Sequence, residues 1–128
     1  MPHKILTIED TADIRRLIRM TLEFQGYDVI EASEGAQGLA LARSQKPDLI
    51  LLDVMMPGMD GLGVARQLCD DPVLSRIPVI MLSAMGATRD IQAGLQAGVK
   101  AYLVKPFSPR ELLDKVGRLV ATAHGDSA

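Results

Sequence analysis

The chain has no tryptophan, a single cysteine, and aromatic residues at only 3% of its 128 positions. A lone thiol at Cys69 forms no intramolecular disulfide, so a reduced compartment is expected, and Cys69 reads as a small packed side chain rather than a reactive one. Charge of one sign is also missing: 14 Lys and Arg stand against 16 Asp and Glu, for a net charge of -2. That balance supplies no basic stripe for a phosphate backbone, so a direct nucleic-acid partner is not expected. No apolar run approaches membrane-spanning length, and the stretch before Glu9 and Asp10 is too short for a signal-peptide core. The expectation is a cytoplasmic protein with no membrane partner. His3 and His124 have no carboxylate at a useful spacing and read as solvated.

What is present is an alternation. Short apolar runs at Ile5 to Ile8, Tyr27 to Ala32, Leu49 to Leu52, Val79 to Leu82 and Ala101 to Val104 are separated by longer segments of helical periodicity. Such alternation predicts repeated βα units around a parallel sheet, with strands buried on both faces. Ile14, Leu17, Ile18, Thr21 and Leu22 share one helical face; so do Leu39 in the second helix, Leu62, Ala65 and Leu68 in the third, and Leu112, Leu113, Val116 and Val120 in the last. Ser108-Pro109-Arg110-Glu111 predicts the start of the fifth helix, because Ser108 can cap, Pro109 suits the first turn and Glu111 can reach back. Thr11 or Asp13, Asp60 and Thr88 are further cap candidates, and Gly26 and Gly98 follow helical patterns that a left-handed residue would close. The length fits one domain over residues 1–128, with a core at about 3–123 and a frayed tail at 124–128.

Ligands of open α/β sheets gather beyond the carboxyl ends of the strands. The apolar runs there end in Glu9-Asp10, in Asp53, in Ser83-Ala84 and in Lys105-Pro106. With the first, third and fourth strands adjacent, three carboxylates, a hydroxyl and an ammonium would meet at one edge. Carboxylates at close quarters repel and raise one another's pKa. A hard divalent cation relieves that repulsion, and magnesium takes one or two carboxylates together with phosphate oxygens. Glu9-Asp10 alone would read as an ordinary solvated strand end; it is the full set that points to phosphoryl chemistry.

The segments KILTIED, LILLDVMMPGMDG, PVIMLSA and AYLVKPF resemble, in order and spacing, the signature segments of the receiver family of two-component signalling. The resemblance covers almost the whole chain. It implies a flavodoxin-like, doubly wound (βα)5 fold with a five-stranded parallel sheet of order 2-1-3-4-5. It implies that Asp53 accepts a phosphoryl group from a phosphohistidine on a sensor histidine kinase or phosphotransfer protein. Glu9 and Asp10 would position Mg2+, Asp10 directly and Glu9 mainly through a water, with Asp53 and the backbone carbonyl of Met55 completing the protein ligands. Ser83 would donate to one phosphoryl oxygen and Lys105 would pair with another, so the protein mainly positions reactants and neutralises charge. Glu in place of the commoner Asp at position 9 is a departure in reach more than in charge.

The same resemblance makes Ser83 and Tyr102 the switch, with the Tyr102 ring moving between outward and inward rotamers. The output face would be the fourth helix, fifth strand and fifth helix, with Arg89, Asp90, Gln92, Arg110 and Asp114 as exposed contributors. A downstream effector protein is then implied, and the chain would be a monomer or a phosphorylation-linked dimer. The resemblance also implies a cis Lys105-Pro106 bond, with an ordinary trans strand end as the alternative. Pro57-Gly58 reads as a turn, and Gly61 either allows a close approach or starts the third helix. Met55 and Met85, two residues beyond Asp53 and Ser83, are expected to crowd the phosphoryl group and deny a hydrolytic water a polar anchor; alternatively, Met55, Met56, Met59 and Met85 simply fill gaps.

Other classes remain open on the residues alone. An aspartyl-nucleophile phosphatase usually carries a second aspartate two positions on, where Met55 stands. A flavodoxin-like flavin binder would need a Ser, Thr and Gly-rich loop after the first strand, where the acidic pair stands instead. A receiver-like interaction module without phosphorylation would have no need of the complete set of Glu9, Asp10, Asp53, Ser83 and Lys105. In the favoured reading the protein is a signalling switch that catalyses only its own phosphorylation and dephosphorylation, and not an enzyme in the ordinary sense.

Overall fold

The computed structural model describes residues 2–55 and 61–123. Along the chain run β1 (Lys4–Ile8), α1 (Ala12–Phe24), β2 (Asp28–Ala32), α2 (Gly35–Gln45), β3 (Leu49–Asp53), α3 (Gly61–Asp70), a short 3-10 turn (Leu74–Arg76), β4 (Val79–Ala84), α4 (Thr88–Ala97), β5 (Ala101–Lys105) and α5 (Pro109–Ala123). The strands form one parallel sheet of order β2-β1-β3-β4-β5. This is the flavodoxin-like α/β architecture. The chain reverses direction across the sheet between β1 and β3, which places a crevice at the carboxyl ends of these strands.

Side-chain alternation along the strands divides the core in two. Leu6, Ile8, Ile50, Leu52, Val79 and Met81 point to one face, where α2 and α3 cover them with Leu39, Ala42, Val64, Ala65 and Leu68. Ile5, Leu49, Leu51, Ile80, Leu82 and Leu103 point to the other, under Ile18 and Leu22 of α1 and Leu112, Val116 and Val120 of α5. A fully buried aliphatic side chain contributes about 2 kcal/mol, so the central strands are the rigid base on which the site stands.

Several expectations are corrected. The edge strands are not buried on both faces: Asp28 and Tyr102 are exposed and most of their neighbours are half-buried, because β2 and β5 each have a strand on one side only. Leu17 lies at the margin of the α1 stripe and is 49% exposed. Thr88 is the first residue of α4 rather than its cap, a place held by Ala87. Asp90 is half-buried, whereas Arg89, Gln92, Arg110 and Asp114 are exposed. His3 has a carboxylate neighbour after all, its Nδ1 lying 3.7 Å from Asp48 Oδ2, brought there by the start of β3 and not by sequence spacing.

Other ends follow the local signals. The Ser108 hydroxyl accepts from the Glu111 N–H at 3.1 Å, and Glu111 Oε1 accepts from the Ser108 N–H at 3.1 Å, a reciprocal capping box. Gly26 and Gly98 take positive φ of 95° and 121° at the ends of α1 and α4. Cys69 is partly buried against the core, and burial pushes its thiol pKa up, as a packed cysteine requires. Met56, Pro57-Gly58, Met59, Asp60, His124 and the tail lie outside the described residues.

Candidate functional site

The site begins where β1 ends. The Glu9 N–H donates to the Ala32 carbonyl at 3.0 Å, which extends the pairing with β2 by one bond and turns the next peptides out of the sheet. Glu9 is fully buried. Its Oε2 accepts from the Thr11 N–H at 3.1 Å. Thr11 occupies the N-cap of α1 without using its hydroxyl for a cap bond, so the Glu9 carboxylate works at the helix start as well. Asp10, next along, is half-buried.

Asp53 closes β3 and is 1% exposed. Its Oδ1 accepts from the Met55 N–H at 2.9 Å and its Oδ2 from Lys105 Nζ at 3.1 Å. Lys105 is the last residue of β5, followed by a cis bond to Pro106, and its ammonium also donates to Glu9 Oε1 at 3.0 Å. Gly61 opens α3 directly behind this aspartate. A Cβ there would run into the Val54 Cα and lie 2.9 Å from the Asp53 carbonyl oxygen, so both expected roles of Gly61, helix start and close approach, hold together.

One oxygen from each of Glu9, Asp10 and Asp53 lies within 4.8 Å of the others. Burial first, and then hydrogen bonding and repulsion from Asp53, push the Glu9 pKa up from 4.5 to about 7, against the opposing pull of Lys105 and the Thr11 amide. Burial works against the Lys105 ammonium, but its bonds to Glu9 and Asp53 outweigh this and hold its pKa above the ordinary value. One ammonium therefore faces two buried carboxylates with a third nearby, an arrangement short of positive charge. Hard oxygen donors so spaced suit a divalent ion such as magnesium.

Ser83 lies near the end of β4, fully buried, and among the described residues its Oγ has no hydrogen-bond partner. A buried hydroxyl without a partner is costly unless a ligand completes it. Thr7 Oγ1 shares that condition, but in mid-strand. Tyr102 is 38% exposed, with Lys115 Nζ 5.9 Å from its ring centroid. Met55 and Met85 are 53% and 77% exposed, so neither fills a gap in the core.

The structure thus brings Glu9, Asp10, Asp53 and Lys105 together, with Ser83 two strands from β1 on the same sheet edge. Sequence reasoning overlooked Arg15 and Glu31. Arg15 donates to the main-chain carbonyl of Glu9 at 2.8 Å, and its Nε lies 3.7 Å from Glu31 Oε1. The signal was faint: an arginine one turn into a helix that follows an acidic pair.

A family model described as the response regulator receiver domain matches residues 5–117. The chain is 44% identical over 124 residues to the phosphate regulon transcriptional regulatory protein PhoB of Pseudomonas aeruginosa, covering 96% of this chain and 54% of that one. It is 45% identical over 120 residues to the transcriptional regulatory protein ResD of Bacillus subtilis, covering 94% and 49%. The chain therefore spans about half the length of these curated relatives. Among solved structures, a putative response regulator from Chloroflexus aurantiacus is similar at a TM-score of 0.90 with 32% identity, covering 94% of this chain and 99% of that one. The chemotaxis response regulator CheY4 of Vibrio cholerae is similar at 0.86 with 32% identity, covering 93% and 99%.

Proposed function

Because the chain belongs to the response-regulator receiver family, we propose that it is a phospho-accepting switch in which Asp53 takes a phosphoryl group in the presence of Mg2+. The observation that carries this reading is the buried Asp53 carboxylate, held between the Lys105 ammonium at 3.1 Å and the acidic pair of β1. Glu9, Asp10, Asp53 and the Met55 carbonyl would hold the ion. Bound there, magnesium supplies positive charge that offsets the carboxylates and the incoming phosphoryl oxygens.

The phosphodonor is a sensor histidine kinase or a phosphotransfer protein carrying phosphohistidine. A carboxylate oxygen of Asp53 attacks phosphorus in line, the P–N bond breaks, and its electron pair stays on the imidazole nitrogen, leaving an acyl phosphate on Asp53. Lys105 remains beside the site and pairs with a phosphoryl oxygen. Ser83 donates its unused hydroxyl hydrogen to another, which also ends the cost of leaving that group unbonded.

The signal leaves as a movement. With Ser83 drawn to the phosphoryl group, the turn after β4 follows, and Tyr102 on the neighbouring strand exchanges its outward rotamer for an inward one. The face formed by α4, β5 and α5 then controls an effector protein, by itself or with phosphorylation-linked dimerisation. The relatives are named transcriptional regulators, but no nucleic-acid contact is proposed for this chain, whose charge balance offers no basic stripe. Residues 1–128 act as one receiver unit in a cytoplasmic setting, and no helix among the described residues is long and apolar enough to cross a membrane.

The deciding experiment adds acetyl phosphate or beryllofluoride with magnesium and compares amide spectra of the wild type and Asp53→Ala. Shifts at Ser83 and Tyr102 that need magnesium and vanish in the variant support the switch. A wild type that shows none of them, and takes no label from small phosphodonors, is an interaction module instead.

A further inference from the structure

We propose that Arg15 is a positioning residue for the acidic pair, holding the loop between β1 and α1 by its main-chain carbonyls so that the carboxylates of Glu9 and Asp10 stay turned into the cluster; this rests on the magnesium-site reading above. Arg15 lies in the first full turn of α1, where its own N–H is committed to the Thr11 carbonyl at 2.9 Å. Its side chain runs back toward the strand. One terminal nitrogen donates to the Glu9 carbonyl at 2.8 Å and approaches the Asp10 carbonyl at 3.5 Å.

Those two carbonyls lie beyond the last residue of β1, past the end of its strand pairing. Their orientation decides where the side chains on the same peptides point. A guanidinium suits this task because its donors sit in a rigid plane: one edge serves the loop while Nε faces another group. Here that group is Glu31 on β2, whose Oε1 is 3.7 Å from Arg15 Nε and whose Oε2 accepts from Arg19 at 2.9 Å. Glu31 is paired in register with Thr7, two residues before Glu9. The clamp is therefore anchored to the edge strand beside the segment it holds, and Arg19 is tied in turn to Glu23 at 3.2 Å.

The sign of the effect separates this role from a purely electrostatic one. A cation close to a metal site repels the ion, so deleting Arg15 for its charge alone would tighten magnesium binding. Deleting a clamp does the opposite, because loosened carboxylates must be reordered when the ion binds.

The test compares Arg15→Met and Arg15→Lys with the wild type in the full chain, using magnesium titrations followed by amide shifts and hydrogen exchange on the metal-free protein. Arg15→Met is expected to weaken magnesium binding by about 10-fold, the smaller end of what supporting residues contribute to metal affinity. Arg15→Lys keeps the charge, loses the planar fork and weakens binding to a smaller degree. In the metal-free variants the Thr11 amide, which Glu9 accepts, exchanges faster while the β3 amides keep their protection. Unchanged or tighter magnesium binding overturns the proposal, as does unaltered exchange at Thr11. Should the wild type itself ignore magnesium, the reading of the site falls, and the exchange comparison alone decides the clamp.

Discussion

The Lys105 ammonium reaches across the full width of β4 to stand 3.1 Å from Asp53 Oδ2 on β3. The pair joins residues 52 positions apart in the sequence, and the same nitrogen continues to Glu9. Lys105 is therefore the counter-charge of the buried acids, and in the proposed function the same ammonium would pair with an incoming phosphoryl group.

Replacing it with methionine should destabilise the metal-free protein by about 3 kcal/mol, because the buried acids lose the ammonium that pairs with them. Urea melts with and without magnesium check this: the divalent ion should restore much of the loss, while phosphorylation by acetyl phosphate stays slow. A variant as stable as the wild type without metal would show that Lys105 carries no such burden.

The pH dependence follows from Glu9. Its folded pKa of about 7 lies above the ordinary 4.5, so the folded state holds its proton more tightly than the unfolded chain does. The stabilisation from that proton is complete below pH 4.5 and is lost as pH rises through about 7. The metal-free protein should lose stability over this range, and Glu9→Gln should remove that part of the slope. Magnesium affinity should rise over the same range, since the ion displaces the Glu9 proton. Calorimetry in buffers of different ionisation enthalpy would reveal the released proton.

Met55 and Met85 are exposed and lie two residues beyond Asp53 and Ser83, where apolar side chains would offer a hydrolytic water no polar anchor. Substituting Asn at 55 and Glu at 85 should speed loss of phosphate from Asp53 by roughly 10-fold, a modest gain for positioned polar groups. Following the acyl phosphate over time after the donor is removed measures it; equal lifetimes would leave the methionines without a role in persistence.

Tyr102 is 38% exposed, with Lys115 over its ring. If phosphorylation turns it inward, acrylamide should quench its fluorescence less when beryllofluoride and magnesium are present. The measurement belongs in a Tyr27→Phe background, because Tyr27 is the second tyrosine. Quenching that ignores the phosphoryl mimic would remove Tyr102 from the switch.

Much of this protein is written locally. The runs Leu49 to Leu52 and Val79 to Leu82 are so continuously apolar that a doubly covered strand is the natural outcome, and Ser108 with Glu111 states where α5 starts, because strand burial and helix caps depend on neighbours within a few residues. The residue types at the strand ends, read with the family resemblance, identified the acidic cluster. Edge exposure at Tyr102, the bond from Arg15 to the Glu9 carbonyl, the His3 and Asp48 approach and the raised pKa of Glu9 were decided by the assembled sheet. Each depends on which strand lies beside which, and on how deeply a charge is buried. Those are distances in space, and the order of residues along a chain carries them only after the chain has folded.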